Sequence, residues 1–311
     1  MTDTYEARGP HLPDVLTRQS PWVYLFAGAA FVHLAAAWLD WSSRPLADPQ
    51  ELLLLLSVRG NDALISLFGA ALFIRHPDAR RSMPFLAFGL GLLALGPLLQ
   101  LVDTPVTQFI DSLAPSDAEF IGLSSAVVAY HVLTSLIGIA GVLYVGAGLG
   151  DARTGPRRSA ERAVLSLLVV IGILTVAWQI LPIGGAQAPA SPYEWVLLVI
   201  GVVLSLLYTL AWSYLIAVVF GGWSAREEPR IGWGLALAAG LIGLLLRIFS
   251  TISIVIANLS QPVSSPFAPL FPIAGTLGWI LWLAAFAAGL PAGSSATADP
   301  PEATPPGSEA G

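Results

Sequence analysis

The chain has 311 residues, of which 55% are apolar and only 11% are charged. Because soluble globular domains carry about 25% charged residues, a soluble fold of this length could not bury so much apolar surface. The composition therefore excludes a cytosolic enzyme, a disordered chain and a nucleic-acid-binding protein, and the lack of cysteine excludes disulfides and thiolate metal sites.

Apolar runs of about 20 residues are typical of transmembrane helices, because such a helix crosses the hydrocarbon core of a bilayer. The sequence contains eight of them and predicts an all-α, multi-pass membrane protein surrounded by a lipid bilayer. In chain order the predicted spans are Trp22–Leu39, Pro49–Ile74, Pro84–Val102, Leu123–Leu149, Ala163–Leu181, Tyr193–Phe220, Ile231–Leu259 and Pro272–Leu290.

The segments outside these spans are short. Residues 1–20 are predicted to form a cytoplasmic N-terminal segment, residues 21–290 a single transmembrane bundle, and residues 291–311 a disordered cytoplasmic tail. The longest loop, 103–122, has apolar residues spaced as on one face of a helix, which favours either a short surface helix or an ordinary connector. The stretch Ala35–Ala37 also fits a signal-peptidase site, and cleavage there would leave seven spans.

The arginines predict the orientation of the bundle, because cytoplasmic loops of membrane proteins are enriched in basic residues. With eight spans and the N-terminus inside, eleven of the 14 basic residues fall in cytoplasmic segments and only Arg44 falls in an outer loop. The remaining two, Arg59 and Arg247, lie within spans. We therefore predict cytoplasmic N- and C-termini and a location in the inner (cytoplasmic) cell membrane.

Ionisable residues inside a span are costly to bury and mark candidate functional sites. The sequence places five of them within spans: His33, Arg59, Asp62, His131 and Arg247. At a rise of about 1.5 Å per residue, all five fall near one layer in the middle and outer half of the bundle. We predict that they form a ligand-binding site, in which the arginines hold an anionic group and the histidines accept protons.

The arginines and the aspartate allow a second, structural interpretation. Arg59 and Asp62 are three residues apart and share a helical face, so they and Arg247 would form an ion-pair network between the second and seventh spans. With neutral histidines, these three residues leave one positive charge in the membrane, which a bound anion, a lipid head group, water or backbone carbonyls would compensate.

The second span contains a turn signal at Gly60-Asn61. Broken helices at membrane depth line cavities, and the N-terminus of a half-helix attracts anions. The second span is therefore predicted to be either a continuous helix with one polar turn or a helix broken at this point.

Three functions are open on the sequence alone. The first is a transporter-like protein that binds a small anionic or lipid ligand. The second is a membrane-embedded redox protein or enzyme, in which His33 and His131 ligate a b-type haem; no other cofactor and no metal site is predicted. The third is a structural subunit of a membrane complex.

Enzymatic chemistry has little motif support. The sequence contains no P-loop, no H-E-x-x-H and no G-x-S-x-G motif, and it lacks the lysine that a retinal Schiff base requires. Small residues spaced four apart, such as Gly146 and Gly150, predict close helix packing within the monomer or at a homo-oligomer interface. These patterns favour a binding or structural role over catalysis.

Overall fold

The computed structural model describes residues 20–42, 49–113, 117–152, 159–180, 192–259 and 270–291, and these ranges contain helices and no strands. In chain order the helices are α1 (Pro21–Ser42), α2 (Pro49–Arg75), α3 (Ala79–Ser82), α4 (Pro84–Leu113), α5 (Asp117–Asp151), α6 (Ser159–Ile180), α7 (Pro192–Ala225), α8 (Arg230–Leu259) and α9 (Leu270–Ala287). Each long helix covers all or nearly all of one predicted apolar run, and the described residues are helical without strands, which confirms the all-α prediction. Apart from Ser20 and Pro291, the predicted terminal segments lie outside the described residues.

Five helices contain a described stretch that is long and apolar enough to cross a membrane: Pro21–Leu39, Pro84–Val102, Ser125–Asp151, Ala160–Ala177 and Trp195–Ala225. Large apolar side chains are exposed on these helices, among them Phe31 at 71% and Leu174 at 63%. Because soluble proteins rarely expose so much contiguous apolar surface, these helices indicate a membrane-embedded protein. The count of eight spans and the cytoplasmic termini stay predictions.

The second span is one continuous helix. α2 runs from Pro49 to Arg75 without interruption, so the turn signal at Gly60-Asn61 does not break it. A glycine costs only about 1 kcal/mol in a helix interior, and packing against neighbouring helices outweighs that cost. The anion-attracting half-helix considered from the sequence is therefore absent from α2.

The predicted surface helix is not a separate element either. α4 continues through the region after Val102 and ends at Leu113, and α5 begins at Asp117. The helical spacing of apolar residues in this region fits a longer α4 as well as an independent helix, and spacing alone does not distinguish the two.

Helices that follow one another in the chain pack side by side: α1 on α2, α4 on α5, α6 on α7, and α8 on α9. Two helices join these pairs into one bundle, because α2 also packs on α4 and α9, and α7 also packs on α5 and α8. The buried core between them contains Phe68, Leu72, Leu86, Leu149 and Trp282. α2 thus lies between α1 on one side and α9 on another, which positions its polar residues against both.

One end of the bundle, here termed the arginine end, carries Arg75, Arg80, Arg81, Arg226 and Arg230. The guanidinium of Arg80 lies 5.4 Å from the ring centre of Trp22 at the start of α1. A Cβ added at Gly289, just after α9, would lie 3.5 Å from Arg75 Nη2 and 2.9 Å from Pro229 Cγ. Two loops that the sequence predicts to be cytoplasmic therefore meet at the same end of the bundle.

Arg75, the last residue of α2, caps the C-terminal end of the neighbouring helix α9. Its Nη1 donates hydrogen bonds to the carbonyl oxygens of Phe286, at 2.5 Å, and Ala287, at 3.3 Å. The last carbonyls of a helix lack helical partners, and a cation there also complements the negative end of the helix dipole.

We expect Arg75→Ala to lower the free energy of unfolding by about 1 kcal/mol, because it removes a charge-assisted hydrogen bond from the end of α9. Denaturant unfolding of the purified protein in detergent measures this change. Arg81→Ala is the matched control, since Arg81 is exposed on the short helix α3 at the same end of the bundle, and it should cost less than about 0.5 kcal/mol. Equal losses in the two variants would show that the contact with α9 does not stabilise the bundle.

Candidate functional site

His33 lies near the middle of α1 and is 0% exposed. It is about 18 Å along the helix from Pro21, which is more than half the thickness of a bilayer core. Among the described residues, neither Nδ1 nor Nε2 of His33 has a hydrogen-bond partner. Buried polar groups in proteins are nearly always hydrogen-bonded, and both ring nitrogens of His33 retain unused hydrogen-bonding capacity among the described residues.

The carboxylate of Asp62 faces His33 from α2. His33 Nδ1 lies 3.9 Å from Asp62 Oδ2, and the Asp62 side chain is only 14% exposed. This distance is too long for a hydrogen bond but falls within the range of an ion pair. Protonation of the imidazole would therefore turn the contact into a salt bridge, whereas the neutral imidazole leaves the carboxylate without its charge partner on α1.

Arg59 lies one helical turn from Asp62 on α2. Its side chain is half-buried and interacts electrostatically with both Asp62 and His33. The structure thus brings together three of the five predicted site residues, and we refer to His33, Arg59 and Asp62 as the polar cluster. The i, i+3 spacing on α2 explains the first pair, whereas the contact with His33 depends on how α1 packs against α2.

Asn61 extends the polar layer toward α9. A Cβ added at Gly275 of α9 would lie 3.6 Å from Asn61 Nδ2, so a glycine stands where α9 approaches the amide. Within the described part of the chain, the buried Oδ1 of Asn61 has no hydrogen-bond partner. Asn61 was not predicted as a site residue; the signal that could have found it is its position next to Asp62 at the same depth.

Aromatic side chains fill the bundle between the polar cluster and the arginine end. Phe73 stacks on Trp22 and on Phe26, with ring centres 5.9 Å apart in both pairs. Phe68 packs edge-to-face on Phe286 of α9 at 4.9 Å. A cavity of about 20 Å³ beside Phe68 has an apolar lining and room for about one water molecule. These ring contacts pack α1, α2 and α9 together on the side of the polar cluster that is nearer the arginine end.

His131 and Arg247 lie on other helices. His131 is exposed on α5, with its ring centre 6.1 Å from that of Tyr130, and α5 packs chiefly on α4 and α7. The side chain of Arg247 lies outside the described residues. Its helix, α8, packs on α9, α7 and α6, whereas α2 and α8 are not an extensively packed pair. These two residues are therefore not brought to the polar cluster by described contacts.

The positions of the histidines also bear on metal and haem binding. His33 is buried against α2, and His131 is exposed on α5, a helix that is not extensively packed against α1. In the described ranges, no group of three or more His, Cys, Asp or Glu residues is arranged to hold a metal ion. The arrangement instead offers one cation, one carboxylate and one imidazole within a buried layer.

Comparisons with protein-family models, with curated proteins and with solved structures found no match to this chain.

Proposed function

We propose that this protein is a transporter-like or ligand-binding membrane protein whose polar cluster binds an anionic group. The ligand is a small carboxylate or phosphate ion, or a lipid that carries one of these groups. The observation that carries the proposal is His33: it is fully buried, it faces Asp62, and its ring nitrogens have no hydrogen-bond partner among the described residues.

Arg59 is the residue that would hold the anion. A guanidinium offers five N–H donors in a planar fork that matches carboxylate and phosphate oxygens. Its side chain is half-buried, and Asp62, three residues further on, shares its helical face and would orient the guanidinium. In a layer shielded from water, such a charge-assisted hydrogen bond is stronger than on a protein surface.

Unsatisfied polar atoms favour this proposal over a purely structural ion pair. Structural networks inside proteins normally satisfy each member, because every buried donor or acceptor left unpaired costs about 1–3 kcal/mol. Here the ring nitrogens of His33 and Oδ1 of Asn61 are all left over in the described part of the chain. A ligand or water that forms hydrogen bonds with these groups explains the arrangement better than helix packing alone.

We expect Arg59→Gln to abolish anion binding, because it removes the cation of the polar cluster. Thermal unfolding of the purified protein is measured with sodium phosphate, sodium acetate and a short-chain phosphatidate as separate probes. A ligand that binds the folded state raises the unfolding free energy by about 2.7 kcal/mol at 100 times its dissociation constant. A response to the phosphatidate alone identifies a lipid ligand, and a response to phosphate or acetate identifies a free ion.

Two further variants keep this test decisive. Arg59→Gln/Asp62→Asn removes both charges together, so it should fold with nearly the stability of the unmodified protein yet bind no probe. Arg81→Gln removes an exposed arginine at the arginine end and should leave binding unchanged. If the unmodified protein responds to none of the probes, or if the double variant responds as strongly as the unmodified protein, the proposed function is wrong.

The other two functions, haem binding by His33 and His131 and a structural subunit role, stay predictions from the sequence. No described contact specifically favours either of them. A lack of visible absorbance in the purified protein would remove the haem hypothesis, and purification without partner subunits would remove the other.

A further inference from the structure

The charges of the polar cluster balance in the absence of a ligand. Arg59 contributes one positive charge and Asp62 one negative charge, and with a neutral His33 the cluster has no net charge. A buried site without net charge avoids most of the cost of placing an ion in a medium of low dielectric constant. This balance changes as soon as an anion arrives.

A singly charged anion bound at Arg59 would leave the cluster with one excess negative charge. Two carboxylates, or a carboxylate and a phosphate, near a single guanidinium repel each other strongly where water is excluded. One added proton restores neutrality, and the imidazole of His33 lies 3.9 Å from Asp62 Oδ2, where it is positioned to receive it. The protonated ring would form an ion pair with Asp62 and leave Arg59 to the anion.

No other described ionisable group faces this pair. α1 packs on α2 and α4, and α2 packs on α1, α4 and α9. The side chains described on α4 (84–102) and on α9 (273–291) include no acidic or basic residue. Arg59 is therefore the charged group that acts on both His33 and Asp62 from these elements.

We propose that the polar cluster takes up one proton with each anion, and that the proton is held between His33 and Asp62. This inference rests on the proposed function, since it describes how the same site stays neutral when it is occupied. The proton comes from the aqueous phase together with the anion, adds to the lone pair of His33 Nδ1 and leaves when the anion leaves. No bond of the ligand is broken, and no electron is transferred.

The proposal predicts how affinity depends on pH. When one proton binds with each anion, the dissociation constant rises about tenfold for each pH unit over the range in which the free site is unprotonated and the complex is protonated. Binding of acetate, which keeps a single negative charge above about pH 6, is measured by calorimetry at several higher pH values, and phosphate and short-chain phosphatidate, which titrate themselves near neutral pH, are compared at one pH. Each titration is repeated in weakly buffered solution with an indicator dye, which should report uptake of about one proton per anion bound.

Three variants test which groups hold the proton. Asp62→Asn removes the competing negative charge, so it should bind the anion with an affinity that does not change with pH and with no proton uptake. His33→Gln should lose proton uptake and bind the anion at least tenfold more weakly, since the excess negative charge is no longer balanced. His76→Gln is the matched control at the arginine end and should behave as the unmodified protein does.

His76 suits this control because of its surroundings. It follows α2 outside the membrane-spanning part, where burial lowers the pKa of its imidazole below the ordinary value and the guanidinium of Arg75 lowers it further. His76 thus tests whether a histidine outside the polar cluster changes the proton uptake.

The outcomes separate this inference from the proposed function. If no probe binds to the unmodified protein at any pH, both fail. If a probe binds with the same affinity at all pH values and no proton is taken up, the anion site stands and the proton inference is wrong. If His33→Gln takes up as many protons as the unmodified protein, His33 does not hold the proton and the inference as stated is wrong.

Discussion

Replacing Gly89 or Gly148 with alanine should destabilise the protein by about 3 kcal/mol, because the backbones of α4 and α5 lie very close to each other at these glycines. A Cβ added at Gly89 would lie 2.6 Å from the backbone nitrogen of Val145, and one added at Gly148 would lie 2.5 Å from that of Leu86. Both contacts are with backbone atoms, so no side-chain rotation relieves them. The two helices would have to move apart along much of their interface.

Two other glycines on the same helices serve as matched controls. Around Gly91 on α4 and Gly138 on α5, no described atom from outside the helix lies within 4 Å of the position that a Cβ would take. Alanine there should leave stability unchanged or raise it by up to about 1 kcal/mol, because alanine favours the helix. Denaturant unfolding of the four variants in one detergent compares them directly. If all four variants lose similar stability, the close approach of α4 and α5 is not the cause.

Asp62→Asn should lower the free energy of unfolding by about 1–2 kcal/mol when no phosphate or carboxylate is added. The substitution changes the volume very little, but it leaves the half-buried guanidinium of Arg59 without the carboxylate on its own helical face. Arg59→Gln/Asp62→Asn removes both charges and should recover most of that loss. A double-mutant cycle on these variants measures the coupling between the two residues.

Adding an anion should restore the stability of Asp62→Asn more than it stabilises the unmodified protein, because the anion then takes the place of the missing carboxylate. The same addition should have no effect on Arg59→Gln/Asp62→Asn, which has no cation to pair. If Asp62→Asn is as stable as the unmodified protein without added anions, then Arg59 does not depend on Asp62. In that case the charge balance assumed for the polar cluster does not hold.

Part of the candidate site was accessible from the sequence. Arg59 and Asp62 lie three residues apart on one helix, so their shared face follows from helix geometry alone. The depth of His33 in the membrane could also be predicted from the sequence, because the position of a residue along a helix follows from the rise per residue. Helix geometry therefore predicted a polar layer, and it predicted that Arg59 and Asp62 are neighbours within it.

The rest of the site depends on which helices pack together. Residues at one depth can lie on opposite sides of a bundle, and sequence periodicity does not report which helix is the neighbour of which. Packing of α1 on α2 brings His33 to Asp62, whereas α5 and α8, the helices of His131 and Arg247, pack mainly on other helices. The close approach of Asn61 to Gly275 of α9 likewise depends on which helices pack together, and the sequence alone does not predict it.

By itself the sequence determined the class of this protein: a membrane-embedded, all-α bundle with few charges, most of them outside the apolar runs. That much follows from hydrophobicity and helix periodicity, which are properties of single segments. Only the tertiary structure decided that His33 meets Asp62, that α2 is unbroken and that Gly89 and Gly148 join α4 to α5. These features arise from side-chain packing between helices. Many pairs of helices would bury similar apolar area, and the shapes of their surfaces decide which pairs form.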